Sequence, residues 1–258
     1  MYITKNGVGI YMATIKVTCP YCKSDKVVCN GKTKKGLQRY ICKNEICSHK
    51  TFQIQYAYNA CVPGVREKII DIAMNGSGVR YTGRVLGISK DTVTSILKKE
   101  KSVEYVNYEY MTKYDESQID VDIYSELETE MDEMWSFYHD KSHQIWLWWA
   151  VDHKTNTPIA FWFGTREHKN LDKLIELLKS YKIGKVYADN NFAYEKRFGK
   201  DILVTGKKNT QQIERDHLTL RTRIKRLARK TICFSKSETI HKIVIGLFIN
   251  RYWFCNNQ

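Results

Sequence analysis

Four clustered cysteines, a few acidic residues at strand and helix ends, and one arginine-dense stretch are the parts of this 258-residue chain equipped for chemistry. Cys19 and Cys22 flank Pro-Tyr; twenty residues on, Cys42 and Cys47 flank Lys-Asn-Glu-Ile. Thiolates two residues apart can face one ion across a tight turn, and two such knuckles complete a tetrahedral zinc site with no open position. The zinc expected here is structural. The second knuckle has four intervening residues instead of two, so His49 stands beside Cys47 as an alternative fourth ligand. Cys29, Cys61, Cys233 and Cys255 are scattered and are expected as small buried hydrophobes.

The acidic candidates lie further along. Asp132 sits in EMDEMW at 130–135, with Asp120, Asp122 and Glu133 as competitors that periodicity does not separate. Asp189 follows the short apolar run at 185–188, a position that exposes a carboxylate at the end of a buried strand. Glu214 lies on a helix expected over 210–230, with Arg221 two turns later on the same face. Three carboxylates from two strands and a helix suit two divalent cations roughly 4 Å apart, the first activating water or a 3′-hydroxyl and the second steadying the leaving oxygen at phosphorus. Unpaired, the carboxylates repel one another, so the cations also stabilise the site. The run at 215–230 carries Arg215, Arg221, Arg223, Lys225, Arg226, Arg229 and Lys230, a strongly basic helix suited to holding phosphates.

These groups need a frame. Apolar runs at 145–151 and 158–163, joined by a loop at 153–157, read as a hairpin; 170–181 reads as an amphipathic helix and 185–188 as a short strand, which is an α/β pattern. Ahead of it, 63–75, 79–86 and 90–99 read as three helices, with Val85 and Leu86 of the second facing inward. Gly87-Ile88-Ser89 makes the last turn, and Ser89 caps the third helix. In a helix-turn-helix the N-terminal end of that helix faces bases, which here selects Lys90, Asp91, Thr92 and Thr94, with Arg80 and Arg84 placed for phosphates. The domain reading is a zinc module at 1–60, a helix-turn-helix at 61–100, an acidic connector at 101–128 and a catalytic domain at 129–258.

Charge agrees with a polyanionic partner. The net charge is +14, with 17 basic against 6 acidic residues in 1–100, 2 against 11 in 101–133, and 23 against 11 in 134–258. Two basic blocks fit a protein that grips nucleic acid in two places. Hydrophobic content of 43% builds a core, and no run is long enough to span a bilayer. With no secretory signal pattern, the expectation is a soluble, cytoplasmic, nucleoid-associated protein with reduced cysteines.

From about residue 15 onward the chain resembles the transposases of the insertion-sequence-one family in their fused InsA–InsB form. The resemblance rests on CPYC, NGKTKKGLQRYIC and KIIDIAMNGSGVR in front, then DEMW, FGTREHKNLDKLIELL, ADNNFAYE, TQQIERDHLTLRTR and CFSKSETIHKIVIG. It implies a zinc finger and helix-turn-helix followed by an RNase H-like domain, a mixed sheet flanked by helices. By motif, Asp132, Asp189 and Glu214 match an Asp-Asp-Glu triad using Mg²⁺ or Mn²⁺, and Arg221 matches a DNA-contacting basic residue. Two departures stand out: the longer CKNEIC knuckle, and Asp216 where the family has a histidine, with His217 one place later. The implied activity is binding of an element's terminal inverted repeats, strand cleavage and strand transfer, by a homodimer or larger assembly on double-stranded DNA. The rivals are a zinc-containing repressor without catalysis and a plain RNase H-like nuclease.

Overall fold

The computed structural model describes residues 16–49, 51–100, 102–119, 126–190 and 192–254. Asp120, Asp122 and Cys255 lie outside these residues. The chain divides into two compact units, 1–66 and 67–258.

In the first unit, β1 (Val27–Lys32), β2 (Gln38–Cys42) and β3 (Thr51–Gln53) form an antiparallel sheet in the order β1-β2-β3. Its small core is Cys19, Cys42, Cys47 and Phe52, with Tyr40 stacked on Phe52. So few apolar residues bury little surface, which is the usual reason such modules need a metal.

The second unit opens with three helices, α1 (Val65–Met74), α2 (Val79–Leu86) and α3 (Lys90–Lys98). Gly87 takes the left-handed conformation at φ +64°, and the Thr92 N–H donates to Ser89 Oγ at 3.0 Å, so the turn and cap form as the residue types dictate. A Cβ at Gly83 would lie 2.8 Å from the Ile88 carbonyl oxygen, so only glycine lets α2 pack this close to the turn. The inward face of α2 is Thr82 and Gly83, whereas Val85 is 55% exposed, contrary to expectation. The tight α2–turn contact selects the small residues and turns Val85 outward.

The stretch expected as an acidic connector contains α4 (Tyr108–Ile119). Just before it, the Phe161 N–H donates to the Tyr105 carbonyl and the Asn107 N–H to the Ile159 carbonyl. Tyrosines at 105 and 110 pack on aromatic neighbours, a docking that charge counting conceals.

The remaining frame is a five-stranded mixed sheet of β4 (Leu127–Phe137), β5 (Gln144–Asp152), β6 (Pro158–Gly164), β7 (Ile183–Ala188) and β8 (Leu203–Thr205), in the order β6-β5-β4-β7-β8. The first three strands pair antiparallel; β7 joins β4, and β8 joins β7, in parallel. The crossover from β6 to β7 is α5 (Lys169–Leu177), whose Leu171 and Leu174 are fully buried. A short α6 (Phe192–Glu195) follows β7. Along β5 the side chains alternate, yet nearly every residue is buried because both faces are covered. Trp148 and Trp149 are both fully buried on opposite faces. Each removes roughly 200 Å² from water, about 5 kcal/mol.

The helix expected over 210–230 is shorter. It spans α7 (Gln211–Arg223); Ile224 is extended, and a 3-10 turn covers Lys225–Leu227. The break lets Ile224 and Leu227 stay buried while Arg226, also buried, donates to Ser235 Oγ (2.9 Å) and to the Ala73 carbonyl of α1 (3.1 Å). Burial lowers Arg226 to about 10. The chain ends in α8 (Glu238–Ile249) and a π-helical turn, Asn250–Phe254. His241 of α8 is fully buried between Ser136 and Ser235, and burial pushes it down to about 3, so it stays neutral. No helix among the described residues is long and apolar enough to cross a membrane.

Candidate active site and nucleic-acid interface

The sulfurs of Cys19, Cys22, Cys42 and Cys47 all lie within 4.8 Å of one another. Cys19–Cys47 is 3.8 Å and Cys22–Cys42 is 3.6 Å. A tetrahedron with Zn–S bonds of about 2.3 Å has edges of about 3.8 Å, so the spacing fits zinc. Of the two candidates for the fourth ligand, the structure brings in Cys47; the His49 ring instead stacks on Tyr21 at 4.1 Å. Backbone donation at Ser24 lowers Cys22 to about 6, while burial pushes Cys47 up to about 12. Cys29, Cys61 and Cys233 are exposed, not buried; the first lies on a strand with little covering it, where a small residue is simply tolerated.

At the helix-turn-helix, Arg80, Lys90, Asp91 and Thr94 line a cleft of about 640 Å³ that Phe234 and Lys236 also line. The end of α3 expected to face bases therefore opens onto a cleft shared with the catalytic half. Thr94 spends its hydroxyl on the Lys90 carbonyl, and Thr92 lies 2.9 Å from the Ser89 hydroxyl. Arg84 is exposed over the Tyr81 ring.

The carboxylates are placed by strand register. Met131 of β4 pairs with Ala188 of β7, so the next residues, Asp132 and Asp189, are neighbours across a parallel pair. Successive side chains alternate, which sends Asp132 and Glu133 to opposite faces of the strand. Glu133 accepts from the Tyr194 hydroxyl of α6 at 3.3 Å. Burial raises Tyr194 well above its usual value, and the charges of Glu133, Asp132 and Asp189 raise it further. Asp132 faces α7: Oδ2 lies 3.3 Å from His217 Nδ1.

Helix α7 runs alongside β4 in the same direction. The Ile213 N–H donates to Glu130 Oε2 at 3.2 Å, His217 meets Asp132, and Arg221 Nη2 donates to the Trp135 carbonyl at 2.9 Å. These contacts fix the helix along the strand, with Glu214 in its first turn. Glu133 lines the pocket that Glu214 lines, whereas Asp132 meets the helix at His217. Glu214 and Arg221 line one pocket of about 610 Å³. The three carboxylates do not form a group as tight as the cysteines; among the described residues the only other group within 4.8 Å is the exposed His139, Asp140 and His143 at the β4–β5 turn. Two ions about 4 Å apart do not require one tight cage, because outer carboxylates reach different ions. The donor set suits hard divalent cations: Asp189 and Glu214 make no ion pair among the described residues, and Asp132 makes one only to His217. Their negative charge is left for cations to neutralise.

Sequence reasoning left the role of His217 open and gave Asp216 none. His217 is 8% exposed and its Nε2 has no hydrogen-bond partner within the protein. Asp216 is buried beside Glu130; burial first, then the Glu130 charge, pushes it up to about 7. Tyr194 was missed because α6 is too short to show a period. The histidine one place past the family position was the available signal for His217.

The family model of IS1 transposase matches residues 126–255, that of the InsA C-terminal domain 56–101, and that of the InsA N-terminal domain 12–47. The insertion element iso-IS1n protein InsB of Shigella dysenteriae is 50% identical over 125 residues, 48% of this chain and 95% of that protein. The insertion element IS1 protein InsB of Shigella flexneri is 40% identical over 121 residues, 47% of this chain and 92% of that protein. The insertion element IS1 1 protein InsB of Escherichia coli (strain K12) is 40% identical over 121 residues, 47% of this chain and 72% of that protein. A cryo-electron-microscopy structure of the simian T-cell lymphotropic virus intasome in complex with PP2A regulatory subunit B56 gamma aligns at a TM-score of 0.34 and 12% identity, over 70% of this chain and 64% of that one, too loosely to carry an argument. With a zinc ribbon, a helix-turn-helix and a catalytic domain in the matching order, the chain belongs to the IS1 transposase family.

Proposed function

We propose that residues 15–100 bind the terminal inverted repeats of the chain's own mobile element, and that Asp132, Asp189 and Glu214 serve cleavage and joining of strands. The organisation read from sequence goes with this: zinc module 1–60, helix-turn-helix 61–100, connector 101–128 and catalytic domain 129–258. The observation that supports it most is the register: β4 and β7 pair in parallel up to Met131 and Ala188, so Asp132 and Asp189 follow on adjacent strands. Helix α7, which carries Glu214, meets Asp132 through His217. The three carboxylates would hold Mg²⁺ or Mn²⁺, which when bound supplies charge stabilisation at the attacking and leaving oxygens. Water opens one phosphodiester and leaves a 3′-hydroxyl; that hydroxyl then attacks a phosphorus of the target and expels its 3′-oxygen. His217 holds the Asp132 carboxylate in place, and Arg221, fixed to the Trp135 carbonyl, offers a guanidinium to a phosphate. Two element ends are processed together, which calls for a dimer or larger assembly working on DNA in the cytoplasm.

The test is a strand-transfer assay on oligonucleotides from the DNA flanking the reading frame. Asp189→Asn is expected to reduce joining by about a thousandfold or more, as loss of several kcal/mol of charge stabilisation requires, with end binding unchanged. Joining at the wild-type rate would overturn the site assignment.

A further inference from the structure

β7 stops pairing with β4 at Met131–Ala188, so among the described residues the second half of β4 has no strand on that side. The 610 Å³ pocket lies along this stretch, within the volume range that takes a small organic group. Two indoles line it. Trp135 and Trp146 are direct partners across the antiparallel β4–β5 pair, which puts both side chains on one face as neighbours. Both are only half-buried, and Arg166 lies over Trp146 at 5.0 Å.

The polar wall of the pocket is cationic as well as acidic. Arg221 and Arg229 both line it, and neither makes an ion pair among the described residues. Burial lowers Arg221, and the neighbouring Arg229 charge lowers it further, so two guanidiniums are held near each other at a cost. An anion between them removes that cost. His217, nine-tenths buried with its Nε2 unpartnered, lines the same pocket and can satisfy a further polar group. Indole faces beside paired guanidiniums fit a flat aromatic ring carrying a phosphate. Inside a duplex a base offers only its edges to a protein; its face becomes available for stacking when it is unpaired.

We infer that this pocket takes one unpaired nucleotide of the DNA strand processed at the adjoining Glu214, its base stacked on Trp135 and its phosphate held by Arg221 and Arg229. The inference rests on the strand-processing function proposed above and adds a requirement for local opening of the duplex beside the scissile bond.

The test compares two fluorescent DNAs by anisotropy, using the full zinc-loaded chain without added Mg²⁺ or Mn²⁺: a fully paired duplex, and the same duplex with a short run of mismatches at one end. Wild type is expected to bind the mismatched end about tenfold more tightly, as one base–aromatic stack provides. Trp135→Ala should erase that preference and leave affinity for the paired duplex unchanged, which also shows that the variant is folded; Trp135→Phe should keep most of it. Arg229→Ala should reduce the preference. Wild type without any preference, or Trp135→Ala with the full preference, would overturn the pocket assignment while the proposed function stood. Failure of wild type to bind either DNA, including duplexes from the element's ends, would instead remove the proposed function on which the pocket depends.

Discussion

The two sets of prospective metal ligands differ in how far the fold assembles them. The cysteine sulfurs sit at the edge lengths of a zinc tetrahedron, and three of the four residues are buried in the small core they help to make. The proposed carboxylates are spread over β4, the end of β7 and α7, with Asp189 and Glu214 exposed, around a sheet already stabilised by a tryptophan-rich core. On the proposed assignment, soft, closed ligation would be part of folding in one region, whereas hard, open ligation would be laid over a completed fold in the other. Losing a ligand should unfold the first and only silence the second.

The largest effect expected from this contrast is at the cysteines. Structural zinc contributes on the order of 10 kcal/mol or more to such a module, far beyond what the Phe52 core can replace. Cys42→Ser should abolish hydrogen-exchange protection of β1, β2 and β3, while Glu214→Gln should leave protection of β4 and β5 as it is in wild type. Retained protection in Cys42→Ser would remove the distinction.

A smaller, pH-dependent effect is expected at Asp216. Its folded value of about 7 stands above the ordinary 3.8. Between those values the folded chain keeps a proton that the unfolded chain has released, so this residue costs stability progressively as pH rises from about 4 to about 7. The ceiling is about 4 kcal/mol, and partial solvation will lower it. Asp216→Asn should melt close to wild type near pH 4 and increasingly above it as pH rises, levelling off beyond 7. A difference that did not vary with pH would show that Asp216 is ionised when folded.

What was readable in the sequence follows the distance over which each feature is decided. The cysteine knuckles, the Gly87 turn and the Ser89 cap are set within a few residues, so spacing and residue type suffice. Periodicity does not separate Asp132 from Glu133, because both acids suit an exposed strand end equally well. What sets Asp132 next to the end of the β4–β7 pairing is a contact between segments more than fifty residues apart. The extent of α7 was overestimated because Ile224 and Leu227 continue its apolar stripe; the chain breaks there to seat Arg226 against Ser235 and Ala73, partners that a linear pattern does not reveal. Val85 was misassigned for a similar reason, since the inward face of α2 is chosen by the room available beside Gly83. Charge likewise hid α4, whose neighbouring tyrosines dock onto aromatic partners although the segment as a whole is acidic.

The most direct measurement is Mn²⁺ binding, followed by the ion's paramagnetic resonance in the full zinc-loaded chain bound to end DNA. Asp132→Asn, Asp189→Asn and Glu214→Gln are each predicted to weaken Mn²⁺ by about tenfold or more, a loss of about 1.4 kcal/mol or greater, with thermal melts unchanged. If any one of the three bound Mn²⁺ as wild type does, that carboxylate would hold no ion and the shared site would be contradicted.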